Sequence, residues 1–104
     1  MSSDRWLPLL EEDPDNELVR ISLAKDLVEE GRFAQARPHF ERLVADQPDF
    51  ALAWAYLARC CLQMGDREAA RAACDRGLPL ALAQKHEVPE TEIRAVLDEM
   101  DSEF

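Results

Sequence analysis

One hundred and four residues, with 47% hydrophobic and 33% charged side chains and few glycines or prolines, suit a single domain with its own core rather than a two-domain enzyme or a disordered tail. A net charge of −10 argues against nucleic acid as a partner, because neutralising phosphates takes lysine and arginine. The longest apolar stretches, such as Leu78–Ala83, are too short to cross a membrane, and Met1–Arg5 lacks the basic and apolar segments of a signal peptide, so a cytoplasmic location is expected with no membrane partner.

In chain order, residues 1–16 read as an N-terminal half-repeat or tail, in which Trp6, Leu9, Leu10 and Pro14 stand thirty-four positions before Phe40, Leu43, Val44 and Pro48. Ser3–Asp13 are therefore expected to form the remnant second helix of a preceding repeat. Residues 17–50 form a first repeat. Leu18, Ile21, Leu23, Ala24, Leu27 and Val28 recur at helical spacing, and Gly31 then supplies a left-handed stop. A second helix follows from about Phe33 to Ala45 with Ala36, Phe40, Leu43 and Val44 on one face, and Pro38 near its first turn.

Residues 51–84 repeat this plan, with Leu52, Trp54, Leu57, Ala58 and Cys61, a stop at Gly65, and then Ala70, Ala73 and Cys74. Gly77 and Pro79 predict a kink or an early stop in that last helix. Residues 85–104 read as a capping helix beginning at Pro89, presenting Ile93, Val96, Leu97 and Met100 to the body, and an acidic tail that frays over Asp101–Phe104. Charge follows the same division. Six acids and one base lie in Met1–Glu17, and seven acids and one base in Glu87–Phe104, whereas Leu18–His86 holds ten bases against nine acids.

A shift of thirty-four residues superimposes ten identities, among them Pro14 on Pro48, Leu23 on Leu57, Ala24 on Ala58, Gly31 on Gly65 and Ala36 on Ala70. Their placement matters more than their number. Glycines meet at the joint between apolar runs, alanines where helices would approach closely, and prolines just before a new run.

These residues resemble the tetratricopeptide repeat family, whose pattern W-x2-L-G-x2-Y, A-x3-F and P recurs every thirty-four residues. The second unit reads Trp54-x2-Leu57-Ala58-x2-Cys61 and Ala70-x3-Cys74; the first reads Arg20-x2-Leu23-Ala24-x2-Leu27, Ala36-x3-Phe40 and Pro48. Arg20 in place of the aromatic is the one departure that alters polarity. The resemblance, to a small two-repeat module of bacterial type, implies an all-α fold, a superhelix of antiparallel helix hairpins with a C-terminal capping helix. It implies a non-catalytic protein–protein interaction module whose concave groove is lined by the first helix of each pair.

Carried over position by position, the resemblance places Leu18, Ile21, Ser22, Lys25 and Glu29 of the first pair, and Leu52, Ala55, Tyr56, Arg59, Leu62 and Gln63 of the second, on that groove. Lys25 and Arg59 are thirty-four apart, so they should stand on one wall and could meet acidic groups or a C-terminal carboxylate of a protein or peptide partner. The lysine and asparagine set with which some family members grip chaperone tails is missing, since Ile21, Lys25 and Tyr56 occupy those positions. A rival reading is self-assembly, a homodimer joined across a twofold axis by the Trp6–Leu7 segment and the face of Ile93 and Leu97, as an accessory subunit of a larger complex.

No catalytic relay, metal site or cofactor motif is expected. Cys60, Cys61 and Cys74 lie on or beside core registers and read as small buried hydrophobes with reduced thiols. His39, among Arg37, Glu41 and Arg42, reads as solvated, and neither it nor His86 has a nucleophile and carboxylate at relay spacing.

Overall fold

The structure, a computed structural model, describes residues 2–102. After a 3-10 turn at Ser2–Arg5 come six α-helices: α1 (Leu7–Glu12), α2 (Glu17–Glu29), α3 (Phe33–Asp46), α4 (Ala51–Gln63), α5 (Arg67–Ala83) and α6 (Glu87–Asp101), with no strand among the described residues. The fold is all-α. Helices α2 with α3, and α4 with α5, form hairpins that stack along one direction, giving an elongated body of 43 × 28 × 20 Å.

Each hairpin turn is a left-handed helix stop. Gly31 (φ 75°) and Gly65 (φ 80°) follow α2 and α4. At the first, the N–H of Arg32 donates to Leu27 O (2.8 Å) and that of Gly31 to Val28 O (3.0 Å). At the second, the corresponding donors are Asp66 to Cys61 O (2.9 Å) and Gly65 to Leu62 O (3.0 Å). These paired bonds satisfy carbonyls that the helix itself leaves open. The same arrangement closes α5 at Lys85, the only non-glycine of positive φ (54°) among the described residues. Side chains cap two helix starts: Asn16 accepts from the Val19 N–H (3.2 Å) and Asp66 from the Ala69 N–H (3.1 Å).

Close approach within the hairpins depends on alanine. Ala24, Ala36, Ala58 and Ala70 have no exposed surface, so helix axes can approach where a longer side chain would hold them apart. Around them the core is built from Leu23, Leu27, Phe40, Leu43, Leu57 and the three cysteines.

The structure corrects three sequence expectations. Helix α5 runs unbroken through Gly77 and Pro79. A β-carbon on Gly77 would lie 2.7 Å from Trp54 Cβ and 2.9 Å from Ile93 Cδ1, so this glycine serves close packing of α5 on α4 and α6 rather than a break. Pro79, like Pro38 inside α3, sits on an exposed face, where water can reach the carbonyl deprived of its helical partner. Helix α6 starts at Glu87, with Pro89 buried at its third position, where no intrahelical N–H is called for. The expected N-terminal remnant is only partly helical, a 3-10 turn followed by the six residues of α1. The predicted fraying tail lies partly outside the described residues, since Asp101 still ends α6 and description stops at Ser102.

Candidate interaction surface

Helices α2 and α4 open their hairpins, and α6 packs against both α4 and α5. Three contacts hold α6 there. The Arg67 guanidinium donates to Met100 O (2.9 Å), Arg71 faces Asp101 (3.5 Å), and Arg59 of α4 is ion-paired with Glu99. Tyr56 of α4 lies within electrostatic reach of both α2 and α6. Burial raises its phenol pKa, and the charges of Glu92 on α6 and Glu29 on α2 raise it further. Its ring stacks on Phe40 of α3 with centroids 5.2 Å apart and planes 13° from parallel.

The residues assigned to a groove from the sequence fall into distinct settings. Leu18 is 79% exposed, the most exposed large hydrophobic side chain among the described residues. Ile21, Tyr56 and Leu62 are half-buried and pack on the core. Ser22 donates its hydroxyl to Leu18 O (2.8 Å), closing on its own helix rather than turning outward. Lys25 is half-buried, with no carboxylate in salt-bridge range among the described residues, whereas Glu29 and Gln63 are exposed. Leu52 lines an open depression of about 510 Å³ between the α3–α4 and α5–α6 turns, together with Phe50, Gln84 and His86, none of which the sequence assigned to the groove.

Two assignments need correction. Ala55 is 1% exposed and part of the core, so it offers nothing to a partner. Arg59 is not a free cation, because Glu99 holds it and its side chain is only 17% exposed. Glu99 belongs to a helix read as a cap for apolar residues, and a guanidinium–carboxylate pair between α4 and α6 has no signature in a thirty-four-residue period. The twofold contact also loses its centre, since Ile93 is completely buried.

The N-terminal segment lies along α2. Ser3 donates from its N–H (2.9 Å) and hydroxyl (3.0 Å) to the Glu30 carboxylate, Arg32 donates to both Ser3 Oγ and Glu30 (each 3.1 Å), and the Trp6 indole donates to Asp26 (2.7 Å). Those anchors are Asp26 and Glu30, not the groove residues, and Leu18 stays uncovered.

His39 is not solvated as the sequence suggested. Its Nδ1 lies 2.9 Å from Arg20 Nη1 and must accept that bond, since a guanidinium only donates. Burial, then the Arg20 charge, lowers its pKa. The cysteines are free and buried, and desolvation pushes the thiols of Cys60 and Cys74 up to about 12 and about 11, away from the reactive thiolate. Among the described residues no three His, Cys, Asp or Glu side chains gather as a metal-binding group would. No described helix is long and apolar enough to cross a membrane.

A family model described as tetratricopeptide repeat matches residues 27–86, from the last turn of α2 to the turn after α5. The chain belongs to the tetratricopeptide repeat family. It is 29% identical over 93 residues to the TPR repeat-containing protein PA0015 of Pseudomonas aeruginosa, covering 89% of each chain. The solution structure of protein BPP2914 from Bordetella parapertussis superimposes with a TM-score of 0.80 at 28% identity, covering 99% of this chain and 90% of that one. As a tetratricopeptide repeat protein, the chain is a protein–protein interaction module in the general sense, of a family that is generally non-enzymatic.

Proposed function

We propose that the face formed by α2, α4 and α6 is a docking groove for an extended segment or helix of a partner protein, within the repeat layout of residues 17–50 and 51–84 and in a cytoplasmic setting. The observation that carries this reading is the pairing of Leu18, 79% exposed, with Lys25, a cation lacking a carboxylate, seven residues and two turns along the same side of α2. Apolar side chains of the partner meet Leu18, Ile21, Leu52 and Leu62, and an acidic side chain or C-terminal carboxylate meets Lys25. Arg59 joins only by exchanging Glu99 for the partner's carboxylate, which makes it a second, costlier contact.

The decisive variant is therefore Lys25→Glu rather than Arg59→Glu, which would set two carboxylates against each other at α6 and disturb the fold. With a partner captured from the native cell and purified, Lys25→Glu lowers affinity by about ten-fold at unchanged helicity. Unaltered affinity defeats the groove assignment.

A further inference from the structure

Helices α3 and α5 both pack on α4 but stand apart from each other. No Cα of one comes within 8 Å of a Cα of the other, and a cleft of about 260 Å³ lies between them. Its floor is Trp54 and Leu57 of α4, and its α5 wall is Ala69, Ala72 and Ala73. The indole is fixed in place, because its N–H donates to Pro48 O (2.8 Å) and the Arg76 guanidinium stacks on its ring at 5.1 Å.

In the first hairpin the equivalent positions on the opening and closing helices are bridged. Thirty-four residues before Ala73 stands His39, and before Trp54 stands Arg20; those two side chains bond across the gap at 2.9 Å. Alanine at 73 leaves out the counterpart of His39, so the space beside the Trp54 indole stays open.

Charge at the rim indicates the occupant. Arg37 is already neutralised by Glu41 (3.3 Å) and Asp66 (3.1 Å), but Arg76 has no carboxylate in salt-bridge range among the described residues. At about 260 Å³ the space falls below the roughly 300–1,000 Å³ of small-molecule pockets and suits one large side chain. We propose that this cleft between α3 and α5 is a second docking site, which takes a large apolar side chain of a partner protein's segment while a neighbouring carboxylate pairs with Arg76. It is independent of the groove on α2, α4 and α6.

The probe is a blocked peptide carrying leucine followed by glutamate, titrated into the isotope-labelled full chain. Amide signals of Ala69, Ala72 and Ala73 and the Trp54 indole signal shift and saturate, with a dissociation constant on the order of 1 mM. Ala72→Trp, at an exposed position on the cleft wall, abolishes the shifts. Arg76→Gln, or glutamine for glutamate in the peptide, weakens binding by about two- to five-fold, and Lys25→Glu leaves it unchanged. Serine in place of the peptide's leucine removes binding. The proposal is overturned by an absence of shifts, by shifts centred on Leu18 and Lys25, or by full binding to Ala72→Trp with native helicity.

Discussion

Arg20 and Trp54, thirty-four residues apart, do the same job with different chemistry: Arg20 Nη2 donates to Pro14 O at 2.7 Å, and the Trp54 indole N–H donates to Pro48 O at 2.8 Å. Each proline ends the segment before an opening helix, so each donor ties the start of a hairpin to the chain entering it. The likeness extends to their neighbours. Arg76 stacks on Trp54, and its counterpart Arg42 lies near enough to Arg20 to lower the Arg20 pKa, after burial, with Asp46 and Asp15 acting in the other direction.

Because Arg20 is 9% exposed and holds both Pro14 O and His39, its removal leaves a cavity and unpaired polar groups. Arg20→Ala should lower stability by about 2–4 kcal/mol in urea unfolding. Arg20→Trp, which can renew the bond to Pro14, should lose less. Equal losses for the two variants would show that the donor to Pro14 is unimportant.

Lys85 holds a left-handed conformation that glycine adopts without a β-carbon penalty. Lys85→Gly should therefore raise stability by up to about 1 kcal/mol, the relief of backbone strain exceeding the entropy added to the unfolded chain. At Gly31 a β-carbon would meet nothing within 4 Å, so Gly31→Ala isolates the backbone contribution and should lower stability by about 1 kcal/mol. Thermal unfolding of the two variants checks both signs.

Helix propensity and packing disagree at Gly77. Alanine is the better helix former by about 1 kcal/mol, but its β-carbon would press within 3 Å of Trp54 and Ile93. Overpacking should win, giving Gly77→Ala a net loss of about 1–2 kcal/mol. A stabilised variant would mean that α5 can shift away from α4 at little cost.

Protonation of His39 opposes folding. Its folded pKa lies below the ordinary value of about 6.5, so the unfolded chain takes up the proton first as pH falls. Its contribution to stability is present above about pH 6.5 and is lost as pH drops from there toward the folded pKa. Urea midpoints should therefore decline between about pH 7.5 and 5.5 in the native protein, and less so in His39→Gln, whose side-chain oxygen can still accept from Arg20.

Much of this was legible in the order of residues. Apolar spacing located the helices, Gly31 and Gly65 located the two hairpin turns, and paired alanines marked the close approaches, because each is a local requirement of backbone or packing that particular residue types meet. The same local rules misread Gly77, which answers to Trp54 and Ile93 far along the chain, and they gave no sign of the third turn, where Lys85 takes the left-handed place without a glycine.

The surface was less legible, since charge and polarity in a sequence do not reveal their partners. Glu99 reaching Arg59, Arg20 taking up His39, and the N-terminal segment settling on Asp26 and Glu30 join residues nineteen to forty positions apart. Period and turn chemistry set the hairpins by themselves, because those forces act within a few residues. Which cations remained unpaired, and where a cleft stayed open between α3 and α5, was decided only when the helices packed, because long-range contact sets the local field and the space left over.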